Sequence, residues 1–135
     1  MLRKGNCMKF NLFFWRKNPK FDNDVCTCED IQDKLIEEVA ELIEAWFLFT
    51  NKPTFESGLH FLEEFWDVIQ VLILMLHRGK KVYENDGKDF KTLLGISYNY
   101  HNEKIKERGW TISASPHVKM EINFDKKTKD TKLPE

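Results

Sequence analysis

Two apolar stretches at helical spacing, separated by a proline-bearing break, constrain this chain more than any other feature. Ile31, Leu35, Val39, Leu42, Ile43 and Trp46 recur at intervals of three and four, and Asn51-Lys52-Pro53-Thr54 interrupts the pattern. Leu59, Leu62, Phe65, Trp66, Ile69, Leu72, Ile73 and Leu76 then resume it. The first stretch predicts a helix from about Glu29 to Phe49, with Thr27 and Asp30 at the spacing of a capping box. The second predicts a helix from Phe55 or Ser57 to Arg78, stopped by Gly79, with His77 and Arg78 at the negative end of the dipole. A third helix is expected from about Asp89 to Arg108, ended by Gly109. Gly95 inside it, costing about 1 kcal/mol relative to Ala, is expected to mark a close helix contact.

The expected fold class is therefore all-α, a helical bundle. Two terminal segments alternate with period two instead: Met8, Phe10, Leu12 and Phe14, and later Val118, Met120, Ile122 and Phe124. Both read as short strands with one polar face. The Lys- and Thr-rich tail from Asp125 to Glu135 reads as disordered. From Val68 onward the second helix is apolar almost all round, so a lone three-helix chain would expose a large apolar patch. A homodimer or dimer of dimers is expected, with the second helix at the interface.

Bulk properties narrow the function classes. The 135 residues make one domain's worth of chain, and a net charge of −1 argues against binding nucleic acid by bulk electrostatics. Charged residues at 32% and hydrophobic ones at 41% fit a soluble globular protein. The longest apolar run, Val68 to Leu76, is interrupted by Gln70 and falls far short of the ~20 residues that span a bilayer. Phe10, Leu12, Phe13, Phe14 and Trp15 follow basic residues but lack a small-residue cleavage site, which does not make a signal peptide. Cys7, Cys26 and Cys28 form no regular disulfide framework, and no second Cys/His pair completes a soft-metal site around Cys26-x-Cys28. A reducing, cytoplasmic setting is expected.

The chemistry lies in two acidic clusters set into the apolar helices, Glu37-Glu38-Val39-Ala40-Glu41 and Glu63-Glu64-Phe65-Trp66-Asp67. Carboxylates on an apolar helix face are costly to bury unless a cation compensates. Glu38 and Glu41 point one way from their helix, as do Glu64 and Asp67 from theirs. Antiparallel packing of the two helices would bring four oxygen-bearing side chains together, a donor set suited to Mg²⁺ or Mn²⁺. Other registers exist: Glu37, Glu41 and Glu44 share a face, and Glu63 is i, i+4 from Asp67. Spacing alone does not choose between them. Near the end of the third helix, Lys104 and Arg108 share a face and could grip phosphate, Arg by its planar fork and Lys as a point charge. Metal-binding carboxylates with cationic phosphate ligands suit a polyphosphate.

The order Lys34-Leu35-Ile36-Glu37-Glu38-Val39-Ala40-Glu41-Leu42, then Glu64-Phe65-Trp66-Asp67, then Asn102-Glu103-Lys104 and Arg108 resembles the MazG-like family of all-α nucleoside triphosphate pyrophosphohydrolases. The resemblance covers roughly Thr27 to Trp110, leaving 1–26 and 111–135 as extensions. It implies a helical bundle completed by oligomerisation that binds Mg²⁺ and hydrolyses an NTP or dNTP between the α- and β-phosphates, giving the monophosphate and pyrophosphate. By position it implies Glu38, Glu41, Glu64 and Asp67 as metal ligands. Glu37 would be a further metal contact or the group that orients and deprotonates water. Asn102, Lys104 and Arg108 would hold the phosphates. Trp66 stands where many members have a small residue, and core packing or stacking on a base would each account for it. Two alternatives stand beside this reading: a pyrophosphohydrolase for phosphoribosyl-ATP or an alarmone, and a non-catalytic helical interaction module. Base preference is not legible, although Trp46, Phe47, Phe49 and Phe55 could stack a base.

Overall fold

Threonine opens both long helices in the computed structural model, which describes residues 8–113 and 115–124. The Asp30 amide donates to Thr27 Oγ1 at 3.0 Å and the Thr27 amide donates back to Asp30 Oδ2 at 2.9 Å, so α1 (Cys28–Asn51) begins with the expected capping box. Thr54 and Ser57 repeat the device at the start of α2 (Phe55–Glu84), which fixes its first turn at Phe55. Only Lys52–Thr54 separate the helices, and a connection that short forces neighbouring helices to run antiparallel. Their contacts follow that sense: Ile31 clusters with Leu74, Trp46 lies 5.1 Å from Phe61, and Phe49 lies against Gly58. A Cβ on Gly58 would come within 3.1 Å of the Phe49 ring, so glycine lets the two helices close there.

Gly79 does not stop the second helix, as the sequence suggested; α2 continues to Glu84. The residues after Gly79 can all continue a helix, and Lys80 pairs with Glu84 across one turn at 2.8 Å. The chain turns instead at Gly87, whose φ of 75° is one that glycine adopts without a Cβ penalty. α3 (Phe90–Glu107) follows, with Asp89 Oδ1 accepting from the Lys91 amide at 3.1 Å. Gly109 ends it at φ 82°. Gly95 has open space where a Cβ would point, so the close helix contact expected there is absent among the described residues.

The expected terminal strands do not form. No strand occurs among the described residues, only one isolated bridge between Lys17 and Asp22. The reason for the first is visible. The alternating segment 8–14 lies along α2, with Phe10 5.1 Å from Trp66, the Gln70 amide donating to the Phe13 carbonyl at 3.1 Å, and Phe14 stacked on His77 at 4.0 Å. Arg78 ties the end of this strap, donating from Nη1 to the Cys26 carbonyl at 2.6 Å and from Nη2 to the Asn23 carbonyl at 2.9 Å. Phe10 and Phe14, four residues apart, pack against a helix, and among the described residues no second strand lies alongside to pair with the segment. The segment 118–124 is likewise not a strand, and the 125–135 tail lies outside the described residues.

The chain divides into two compact units, 1–92 and 93–135. The first holds the strap, α1, α2 and the start of α3, and its core is Cys26, Ile31, Ala45, Val71, Leu74 and Phe90. Ile36, Ile43 and Phe47 on α1 remain exposed, as do Phe55, Leu59 and Leu62 on α2. Among the described residues, no helix is long and apolar enough to cross a membrane. The second unit carries the rest of α3, whose end closes with the Trp110 amide donating to the Ile105 carbonyl at 3.3 Å.

Candidate metal centre

The buried positions of α1 are Ile31, Glu38 and Ala45, each seven residues from the next. This is the spacing that keeps side chains in one seam between two packed helices. Glu38 therefore occupies a core position and is 6% exposed. On α2, Glu64 and Asp67 lie seven residues before the buried Val71 and Leu74, which puts them on the same seam. The seam is apolar at Ile31, Val71 and Leu74 and turns acidic one to two turns further along.

Three carboxylates meet there. Glu38, Glu41 and Glu64 each offer an oxygen, and these oxygens lie within 4.8 Å of one another. Glu38 is buried, Glu64 half-buried and Glu41 exposed, so the cluster opens to solvent on the Glu41 side. Glu38 Oε2 and Glu64 Oε2 are both buried without a hydrogen-bond partner. Buried carboxylate oxygens normally have partners, and leaving one without costs about 1–3 kcal/mol or more. Two such atoms at one acidic cluster fit a divalent cation, for which carboxylate oxygen is a suitable donor. Exposed acidic residues often gather with no ion between them; here Glu38 is buried and Glu64 half-buried, and each carries an oxygen without a hydrogen-bond partner.

The electrostatics agree. Loss of water and the charges of Glu38 and Glu64 hold the Asp67 carboxyl above its ordinary range, against a weaker opposing pull from Lys34. Glu41 is raised by partial desolvation, then by the charges of Glu38, Glu64 and Glu37, and last by a hydrogen bond with Glu64. Asp67 thus feels the cluster, although it is not one of the three groups whose oxygens lie together. Of the residues in the registers left open by spacing, Glu38, Glu41 and Glu64 lie together, and Glu37, Glu44 and Glu63 lie outside this group.

Two further side chains belong to the site. Lys34 Nζ lies 2.5 Å from Glu38 Oε1 and 3.8 Å from Glu37 Oε2. His60 Nδ1 lies 3.5 Å from Glu64 Oε1. Both partnerships are i, i+4 pairs on one helix, a signal present in the sequence. Trp66 packs between Phe10 and Phe65, at 5.1 and 5.4 Å, which is the packing role. Beyond the acidic group, Phe49 and Phe61 stack 5.6 Å apart with Trp46 beside them, while Phe47 and Phe55 are exposed.

Asn102, Lys104 and Arg108 lie at and just beyond the end of α3, in the second unit. Asn102 lines a shallow groove there with Tyr98, Lys106 and Trp110, whereas Lys104 and Arg108 are exposed and outside it.

No family model matches this chain, and no curated protein or solved structure matches it either.

Proposed function

We propose that this protein is a Mg²⁺-dependent nucleoside triphosphate pyrophosphohydrolase, similar to the MazG-like enzymes, that cleaves an NTP or dNTP between the α- and β-phosphates. The observation that carries this reading is the meeting of Glu38 and Glu41 from α1 with Glu64 from α2, two of them with buried unpartnered oxygens. Glu38, Glu41 and Glu64 would hold the ion, with Asp67 completing the set from the edge. Bound there, Mg²⁺ would polarise phosphate oxygens and lower the pKa of a coordinated water. Mn²⁺ suits the same donors.

Glu37, exposed and 3.8 Å from Lys34, would orient the attacking water and take its proton. The resemblance, and not the fold, would give the phosphate chain to Asn102, Lys104 and Arg108. An interaction module is the second reading, and the exposed apolar residues of α1 and α2 favour it. Those same residues suit a homodimer or a dimer of dimers, and assembly and catalysis are compatible.

Pyrophosphate release from a panel of NTPs and dNTPs with Mg²⁺ tests the proposal. Wild type should turn over at least one of them, and Glu38→Gln should reduce the rate at least a hundredfold, the scale of losing a group that stabilises transition-state charge. Equal inertness of both proteins across the panel would leave the interaction module standing. Phosphoribosyl-ATP and an alarmone belong in the same panel.

A further inference from the structure

Lys34 is a half-exposed ammonium beside the acidic group, and it differs from a surface ion pair in that its partner Glu38 is buried. Nζ pairs with Glu38, the most buried carboxylate among the described residues, in a charge-assisted contact. Its other carboxylate neighbour, Glu37 Oε2, is at 3.8 Å. Glu38 uses Oε1 for this contact and keeps Oε2 buried and unpartnered, as Glu64 does. One positive charge therefore acts on Glu37, Glu38, Glu41 and Asp67, while His60 pairs with Glu64. The stem of Lys34 is about half exposed, with 47% of the side chain open to solvent, so it can swing outward without moving the backbone.

We infer that Lys34 is a built-in counter-cation of this pocket: it neutralises Glu38 while the site is empty and is displaced when a divalent ion binds, so that it weakens the affinity for that ion. The inference rests on reading Glu38, Glu41 and Glu64 as a divalent-cation site. A lysine that competes for Glu38 also explains how a carboxylate at a core position is tolerated before metal arrives. An unpaired buried charge there would be strongly destabilising.

The test is a titration of metal-free protein with Mn²⁺, followed by electron paramagnetic resonance, together with the thermal midpoint with and without the ion. Lys34→Met should bind Mn²⁺ about tenfold more tightly than wild type, the scale of one unit charge removed from a partly screened site. Its metal-free midpoint should fall, and its gain on adding Mn²⁺ should exceed that of wild type. Lys34→Arg keeps the charge and should bind no more tightly than wild type. Binding by Lys34→Met that equals or is weaker than that of wild type overturns the inference and leaves the metal site intact. An absence of binding in all three proteins overturns the inference and the metal site together. If Lys34→Met does not fold, the Lys34 Nζ resonance of wild type gives the answer. It should be protected from exchange without metal and lose that protection on adding Mg²⁺; a resonance unchanged by Mg²⁺ overturns the inference.

Discussion

Glu38 sits where a leucine would be expected, between Ile31 and Ala45 in the seam facing α2. The acidic clusters were legible in the sequence, but which of two adjacent glutamates faces inward was not. Glu37 and Glu38 differ by about 100° around a helix, and a pattern with several acidic positions per turn permits either choice. The interhelical packing decided it, because the seven-residue seam through Ile31 and Ala45 selects Glu38. Lys34 could have been read as a partner from its i, i+4 spacing. At the same scale, His77 makes a pH prediction. Its ring stacks on Phe14, and burial, then Lys81, Lys80 and Arg16, lower its pKa below the ordinary 6.5, against an opposing pull from Asp24. The fold thus favours neutral imidazole, so its contribution is complete above that value and is lost as pH falls through it. His77→Phe keeps an aromatic ring on Phe14 and removes the titration. Thermal melts between about pH 7 and 5 should show wild type losing roughly 1–3 °C more than this variant. An equal loss in both would contradict the assignment.

Helix starts were more legible than helix ends. Thr27 and Asp30 announced α1, because a capping box is a local arrangement of side chain and backbone that needs no tertiary partner. Gly79 misled because glycine stops a helix only where the backbone takes positive φ, and here that happens at Gly87 and Gly109. The strands misled for a tertiary reason: alternation at Phe10, Leu12 and Phe14 describes an extended segment with one apolar side, whatever it packs on. α2 supplied that surface. Open space around Gly79 and Gly95 yields a stability prediction. Replacing either with alanine should raise the urea unfolding free energy by about 0.5–1 kcal/mol, the usual difference in helix propensity. Gly109→Ala should lower it by about 1 kcal/mol, because its φ of 82° strains any residue with a Cβ. A loss of stability at Gly95→Ala would mean that a neighbour packs against it.

For the whole molecule, the exposed stripes Ile36, Ile43 and Phe47 on α1 and Phe55, Leu59 and Leu62 on α2 are costly to leave in water. Light scattering on the eluting protein should give two or four times the chain mass of 16.1 kDa, and a mass equal to one chain would contradict assembly. The all-α class followed from periodicity alone, since the 3.6-residue repeat of Ile31–Trp46 and Leu59–Leu76 excludes strands there. The division at 92/93 was not legible, because α3 crosses it without any break in composition. Under the proposed function, one divalent ion is held jointly by side chains from both long helices. Isothermal titration of Mn²⁺ into wild type, Glu38→Gln on α1 and Glu64→Gln on α2 addresses it most directly. One ion per chain should bind wild type, and each substitution alone should weaken binding at least tenfold. Wild-type affinity retained by either variant would mean that its side chain is not a ligand, and joint binding by Glu38 and Glu64 would be wrong.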